Sequence, residues 1–281
     1  GENWLASSAA HYINFPLVLQ EIGLPLAADR PGCGTILSGR VAEAFSTAEL
    51  KEILAGGVLM DSTALEVLSQ RRLAHLAGVR LGPRTDNGVR ERFTGDALNG
   101  PFAGHVRDAR IEFWGDAKGM GDVLVPTAKG VRVLAHLEDY FERQSSACMT
   151  AFENEAGGRV VVMGYAPWIF VHSVAKRQQL QNVADWLTRG RMPVRVEEPV
   201  RLYPVVRAGG RGGRAAILLM NTGLDAIREA TVHLRIPAAR VRLVGPGGRE
   251  RTMEVTRGSA GRVLRLRGIE PWGFRMVLIG E

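Results

Sequence analysis

Between Asn14 and Leu26 the apolar residues Phe15, Val18, Leu19 and Ile22 recur at the spacing of one helix face, and Gly23 follows where a C-cap glycine would stand. The short apolar run from Gly34 to Gly39 predicts a buried strand. Ser46 lies three residues before Glu49, a capping-box spacing, so a helix is predicted from there to Gly56-Gly57. Val58-Leu59-Met60 predicts the next strand, and Ser62 to Gly78 the next helix. Strands and helices alternating this closely predict a parallel sheet with helices on both faces.

The pattern then changes. Residues 81–128 are rich in Gly, Asp, Asn and Pro, which predicts loops and short strands decorating the sheet. Two apolar runs around Glu155-Ala156-Gly157-Gly158 predict a hairpin, and Ala175 to Gly190 a further helix. Pro193 and Pro199 mark a boundary, giving one domain over 1–190 and another over 191–281. Beyond the boundary helical periodicity disappears. Seven short alternating runs split by Gly and Pro predict an antiparallel β-sandwich.

Composition adds limits. With 281 residues, 46% of them hydrophobic, the chain can bury one large core or two ordinary ones. No apolar run approaches the ~20 residues that span a bilayer. The first residues lack the basic start and apolar stretch of a signal peptide, so a cytoplasmic location without membrane contact is expected. The lack of an initiator methionine suggests a fragment. Cys33 and Cys148 are too distant in sequence for a metal or redox motif and are expected to be ordinary thiols.

Charge is unevenly placed. Residues 189–281 hold 18 arginines against 8 acids, whereas residues 1–188 hold 18 basic and 21 acidic residues. An Arg-rich tail could bind a polyanion. Arginines alternating on solvated strand faces explain the same count, as in Arg262 to Arg267. No RNA-binding aromatic motif or zinc-finger spacing accompanies the charge, so nucleic acid is not an expected partner.

Candidate chemistry is sparse. Met60-Asp61-Ser62-Thr63-Ala64 sits where strand turns into helix, a place where α/β enzymes mount a nucleophile. Ser62 is one reading; a helix cap formed by Asp61, Ser62 or Thr63 is the other. The six histidines are dispersed and form no metal motif, so neither metal nor cofactor is expected. His136 and Glu138 alternate on a strand and face one side, as a surface or sheet-end pair. The most site-like segment is Gly164 to His172, where Tyr165 and Trp168 follow a strand end at which open sheets place ligand crevices. Such rings serve equally as sugar or subunit contacts and as core.

The order α/β domain, then β module, resembles the C-terminal half of family 42 β-galactosidases and related glycoside hydrolases. The stretches that carry the likeness are Leu17 to Ala27, Gly34 to Gly39, Phe45 to Asp61, Gly157 to Trp168, Arg201 to Leu234 and Gly268 to Ile279. The resemblance implies a flavodoxin-like, class I glutamine-amidotransferase-like open parallel sheet, the trimerisation domain of those enzymes, followed by a small antiparallel β-sandwich. It also implies that the hydrolytic glutamates belong to a separate barrel, for which this chain has no room. In active amidotransferases the elbow carries a cysteine between glycines, and a glutamate lies two residues beyond the histidine. Here Ser62 holds the cysteine's place without flanking glycines, and Val174 lies two beyond His172. The implied role is an accessory region that oligomerises or shapes a carbohydrate site, with a catalytic barrel or its own subunits as partners. Two alternatives stay open: a hydrolase using Ser62 and His172, and an Arg-rich polyanion-binding module.

Overall fold

The computed structural model describes residues 19–26, 34–85, 88–109, 121–142, 145–164, 173–208, 214–236, 240–258 and 261–280. The chain divides into two compact units, Gly1–Ile13 with Pro31–Gly190, and Asn14–Arg30 with Arg191–Glu281.

The first unit runs β1 (Thr35–Leu37), α1 (Thr47–Leu54), β2 (Gly57–Asp61), α2 (Ser62–Gln70), β3 (Val79–Thr85), β4 (Arg90–Phe93), β5 (Val106–Asp108), β6 (Gly121–Pro126), β7 (Arg132–Glu138), β8 (Ser145–Glu153), β9 (Arg159–Met163) and α3 (Val174–Leu187). Seven strands form one sheet in the order β1-β2-β9-β8-β7-β4-β5, and β3 pairs with β6 beside it. Only β1, β2 and β9 run parallel. The other four are antiparallel to their neighbours.

The expected flavodoxin-like, amidotransferase-like open parallel sheet is therefore corrected. The sheet is mixed, and strand outweighs helix among the described residues. The reason lies in the connections. Parallel neighbours need a crossover of a dozen or more residues, whereas short turns force antiparallel pairing. After α2 the described chain reaches β9 without another α-helix, and β7, β8 and β9 follow one another through short turns. The alternation of residues 34–70 simply does not continue.

Local signals explain the helices. Ser46 and Glu49 exchange both bonds of a capping box at the start of α1, at 3.3 and 2.7 Å. One sheet face packs Leu37, Val58, Met60, Val160 and Val162 against Leu50 and Leu54 of α1 and Leu65 and Leu68 of α2. Val79 and Leu124 of the β3–β6 ribbon enter the same core. On the other face lies α3, whose end crosses β2 so closely that a Cβ on Gly57 would overlap the Leu187 carbonyl. Arg132 and Arg159 stack on Trp186 of α3 at 5.0 and 5.1 Å.

The hairpin predicted at residues 155–158 joins β8 to β9. Its Asn154 is buried and uses both ends of its amide. Nδ2 donates to the Leu54 and Leu76 carbonyls at 2.9 and 3.0 Å, while Oδ1 accepts from the Ala156 and Gly158 amides. One turn thereby satisfies the carbonyl at the end of α1 and that of Leu76 in the short 3-10 helix Ala74–Ala77.

The second unit contains β10 (Val194–Val196), β11 (Leu202–Ala208), β12 (Ala215–Asn221), β13 (Ile227–Leu234), β14 (Arg240–Val244), β15 (Glu250–Thr252), β16 (Thr256–Gly258), β17 (Gly261–Ile269) and β18 (Phe274–Gly280). They form antiparallel sheets of order β10-β13-β17-β16 and β11-β12-β18-β14-β15. Alternate residues such as Ile217, Leu219, Val232, Leu264 and Val277 fill one shared core. Residues 19–24 lie against the edge strands β10 and β11. The Val196 amide donates to the Gly23 carbonyl at 3.3 Å, and Tyr203 Oη donates to Glu21 Oε1 at 2.8 Å. Leu19, Ile22 and Leu24 are buried there, covering edges that would otherwise stay open.

Candidate functional site

The carboxyl ends of β1, β2 and β9 share one edge of the mixed sheet, because Leu37 pairs with Met60 and Asp61 with Met163. Strand β8 begins at Ser145, four residues before its Met149–Met163 pair. The β7–β8 hairpin thus stands ~13 Å above that edge, at 3.3–3.4 Å per residue. Strands β4 and β5 reach the same height through the pairs Arg90–Glu138 and Arg90–Asp108. A low shelf of parallel strand ends therefore meets a wall of antiparallel strands. This is the edge at which open sheets hold ligands.

On the shelf, Asp61 is the cap of α2. Its Oδ1 accepts from the Ala64 amide at 2.9 Å, and its Oδ2 accepts from Ser38 Oγ at 2.5 Å and the Gly39 amide at 2.7 Å. The carboxylate ties the end of β2 to the chain leaving β1. Ser62 is the first residue of α2. Asp61→Ala is expected to cost about 2 kcal/mol, for the cap and the link to Ser38 and Gly39. Ser62→Ala should stay within about 0.5 kcal/mol of the parent. Urea unfolding of the three proteins checks the contrast.

Gly164 and Ser173 anchor the chain between β9 and α3. The Gly164 amide donates to the Cys148 carbonyl at 2.7 Å, and its carbonyl accepts from the Asp122 amide. Ser173 caps α3 by accepting from the Lys176 amide at 3.1 Å. Tyr165, Trp168 and His172 fall between these anchors, outside the described residues, as does Cys33.

The wall carries charge and aromatic surface. Glu138 Oε1 accepts from Arg92 Nε at 2.7 Å, and Glu142 pairs with Arg90 at 2.6 Å. At the hairpin tip Tyr140 and Phe141 are 73% and 66% exposed, with ring centroids 5.4 Å apart in an edge-to-face pair. The sequence reading missed them. Two adjacent aromatic residues inside the polar stretch Asp139 to Arg143 were the available signal.

His136 shares the Arg92–Glu138 face and its Nδ1 is buried without a hydrogen-bond partner among the described residues. Burial lowers its pKa from the ordinary 6.5, and the Glu138 charge opposes the shift. A base whose pKa falls on folding is protonated first in the unfolded chain. Its contribution is complete above about pH 6.5 and is lost as the pH falls toward the folded-state value. His136→Gln is expected to flatten the dependence of stability on pH between about 7 and 5. Urea midpoints at half-unit intervals measure it.

Beneath the other face of the wall lies a fully buried ionic cluster. Register places Glu91, Phe93, Arg107, Ala135 and Met149 on the α3 side of the sheet. Lys176, in the first turn of α3, donates to Glu91 Oε1 at 2.8 Å and Gln179 Oε1 at 2.6 Å, with Met149 Sδ at 3.4 Å. Arg107 Nε donates to Glu91 Oε2 at 2.5 Å. Gln179 Nε2 continues to Asn99 Oδ1 at 2.7 Å, and Asn99 Nδ2 to the Thr94 and Leu134 carbonyls. Lys176 also lies 5.6 Å from the Phe93 ring centroid. Burial pushes the Lys176 ammonium below its ordinary range, and Glu91 opposes that shift. The neighbouring Cys148 thiol is pushed well above its ordinary range by burial, which leaves it an unreactive thiol.

Among the described residues no group of three or more His, Cys, Asp or Glu side chains is placed to hold a metal ion. No described helix is long and apolar enough to cross a membrane.

No protein-family model and no curated protein matches the sequence at a significant level. Solved structures do. α-L-Fucosidase isoenzyme 2 from Paenibacillus thiaminolyticus matches with a TM-score of 0.60 and 14% identity, over 88% of this chain and 41% of that one. Gan42B, a GH42 β-galactosidase, gives 0.49 and 13% over 88% and 32%. The β-galactosidase from Bacillus circulans sp. alkalophilus gives 0.47 and 14% over 87% and 32%. The chain thus spans about two fifths of the fucosidase and about a third of each galactosidase. Its fold is related to part of a glycoside hydrolase chain.

Proposed function

We propose that this chain is a non-catalytic accessory region of a glycoside-hydrolase-like protein, which oligomerises or shapes a carbohydrate site whose catalytic groups lie elsewhere. The observation that carries this reading is the fucosidase likeness, which takes in 88% of this chain but only 41% of the enzyme. The chemistry of the sheet edge agrees with it. Glycoside hydrolysis commonly uses two carboxyl groups about 5–9.5 Å apart, free to meet substrate and water. Asp61 is committed to three hydrogen bonds and Glu91 to Lys176 and Arg107, while Glu138 pairs with Arg92 through Oε1 and Glu142 with Arg90. The exposed Tyr140 and Phe141 instead offer rings for stacking on sugars or packing on another subunit. Tyr165, Trp168 and His172, which follow Gly164 in sequence, are proposed as further carbohydrate or subunit contacts.

The test is an assay of the chain alone against aryl fucosides, galactosides and glucosides, with sedimentation and oligosaccharide titration of Tyr140→Ser/Phe141→Ser. No turnover is expected, and the double variant should weaken self-association or oligosaccharide binding while melting at the parent temperature. Turnover that disappears in Ser62→Ala would overturn the accessory reading in favour of an autonomous hydrolase using Ser62 and His172.

A further inference from the structure

The outer face of the five-stranded sheet holds an arrangement that neither the sheet edge nor the fold likeness explains. Cross-strand register aligns Arg207 of β11, Ala216 of β12, Leu278 of β18 and Arg242 of β14 in one row. Their strand neighbours Ile217, Val277, Ile279 and Val241 point into the sandwich core, so the row itself faces outward. Three strand spacings separate the backbones of Arg207 and Arg242, ~14 Å. Between them stand one methyl group and one Leu278 side chain. The short Ala216 between two long arginines leaves an open depression of about 300 Å³, which Arg214, the residue before β12, also lines.

Charge makes this depression more than a dent. Arg242 pairs with Glu250 at 2.6 Å. Arg207 and Arg214 have no carboxylate partner among the described residues. Three guanidiniums around one concavity, offset among the described residues by the Glu250 carboxylate, hold a positive potential that an anion would relieve. Arginine's planar fork suits carboxylate and sulfate oxygens, which it meets with two parallel N–H bonds.

We infer that this depression binds an acidic saccharide, with a uronate carboxylate or a sulfate ester held by Arg207, Arg214 and Arg242 and the sugar body resting on Ala216 and Leu278. The anion follows from the arginines, and the sugar rests on the glycoside-hydrolase-related reading above. A nucleic-acid strand fits the surface less well. Single strands need a row of stacking rings along a basic track. The aromatic residues of this face, Tyr203 and Phe274, stand about four residues away along their strands, ~13 Å from the row. Tyr203 is moreover occupied with Glu21.

The experiment is calorimetric titration of the full chain at low and near-physiological salt with four probes. These are a heparin octasaccharide, an oligogalacturonate, sodium sulfate and single-stranded DNA of matched charge. Arg207→Ala/Arg214→Ala is compared with Arg257→Ala/Arg265→Ala, which removes equal charge from the other sheet. At least one acidic saccharide is expected to bind, and roughly tenfold or more weaker in the first variant while unchanged in the second. Equal weakening in both variants would reduce the effect to diffuse charge and overturn the site. Binding of DNA as tight as of the saccharides, lost with Arg207 and Arg214, would replace the proposal with a nucleic-acid surface. Sulfate binding as tightly as the saccharides would remove the sugar from the assignment, whatever the glycosidase assay shows. Absence of binding by every probe would end it.

Discussion

Replacing Glu91 by alanine is expected to lower the stability of the first unit by about 3–5 kcal/mol, among the largest effects of any single substitution. The argument is one of charge balance in a dry place. Lys176 and Glu91 are fully buried, and the Arg107 side chain is nearly so. Removal of the carboxylate takes away the counter-charge that Lys176 and Arg107 share at 2.8 and 2.5 Å. Gln179 and Met149 can keep contact with the Lys176 ammonium, but neither neutralises it. The same reasoning makes Glu91→Leu/Lys176→Met milder than Glu91→Ala, because the double variant removes a buried cation together with the carboxylate that balances it. Urea midpoints for the parent, the single and the double variant test it. A single variant within about 1 kcal/mol of the parent would show that water already reaches the cluster.

Asn154→Ala is expected to cost about 3–4 kcal/mol by a different route, the stranding of backbone groups. Two helix-end carbonyls, of Leu54 and Leu76, lose their donor, and the Ala156 and Gly158 amides lose their acceptor. Water has little room to replace the side chain at Leu54. A Cβ on Gly158 would already overlap the Leu54 carbonyl, so the hairpin and the end of α1 touch through backbone. Asn154→Asp separates hydrogen bonding from volume. It keeps the size and the acceptor but aims a negative charge at two carbonyls, so its loss should match or exceed that of alanine. Thermal melts of both variants distinguish the cases: an aspartate variant near the parent would mean that only side-chain volume matters.

What the chain disclosed of itself follows the range of the forces involved. Contacts within a few residues were legible. The Ser46–Glu49 capping box, the strand at Val58 to Met60 and the hairpin at 155–158 each rest on neighbours in sequence. Strand direction was not legible, because period-two alternation is the same in parallel and antiparallel pairs. Extending the early strand–helix alternation therefore produced a parallel sheet that β7, β8, β4 and β5 do not form. The stretch Lys176 to Gln181 is polar but for Leu180. It buries Lys176, Gln179 and Gln181, and Lys176 pairs with Glu91, 85 positions earlier. No local pattern records such a partner. At the turn after β2, residue types proposed three possible caps, and only the carboxylate of Asp61 can accept from Ser38, Gly39 and Ala64 together. At the wall, Tyr140 and Phe141 became visible as a surface only when β7 and β8 were seen to overshoot the parallel strands.

The placement of residues 19–24 against β10 and β11 bears on the order of biosynthesis. The Tyr203–Glu21 bond closes a loop of 182 positions, and everything between must be made before the second unit can finish. The first unit has all its strands and helices once residue 190 has emerged from the ribosome, and units generally fold as they appear. The segment around Leu19 and Ile22 is therefore separated from β10 and β11, the strands that cover it, by the whole of the first unit. An apolar segment so separated from its cover is where a nascent chain is expected to meet a chaperone or stick to its neighbour.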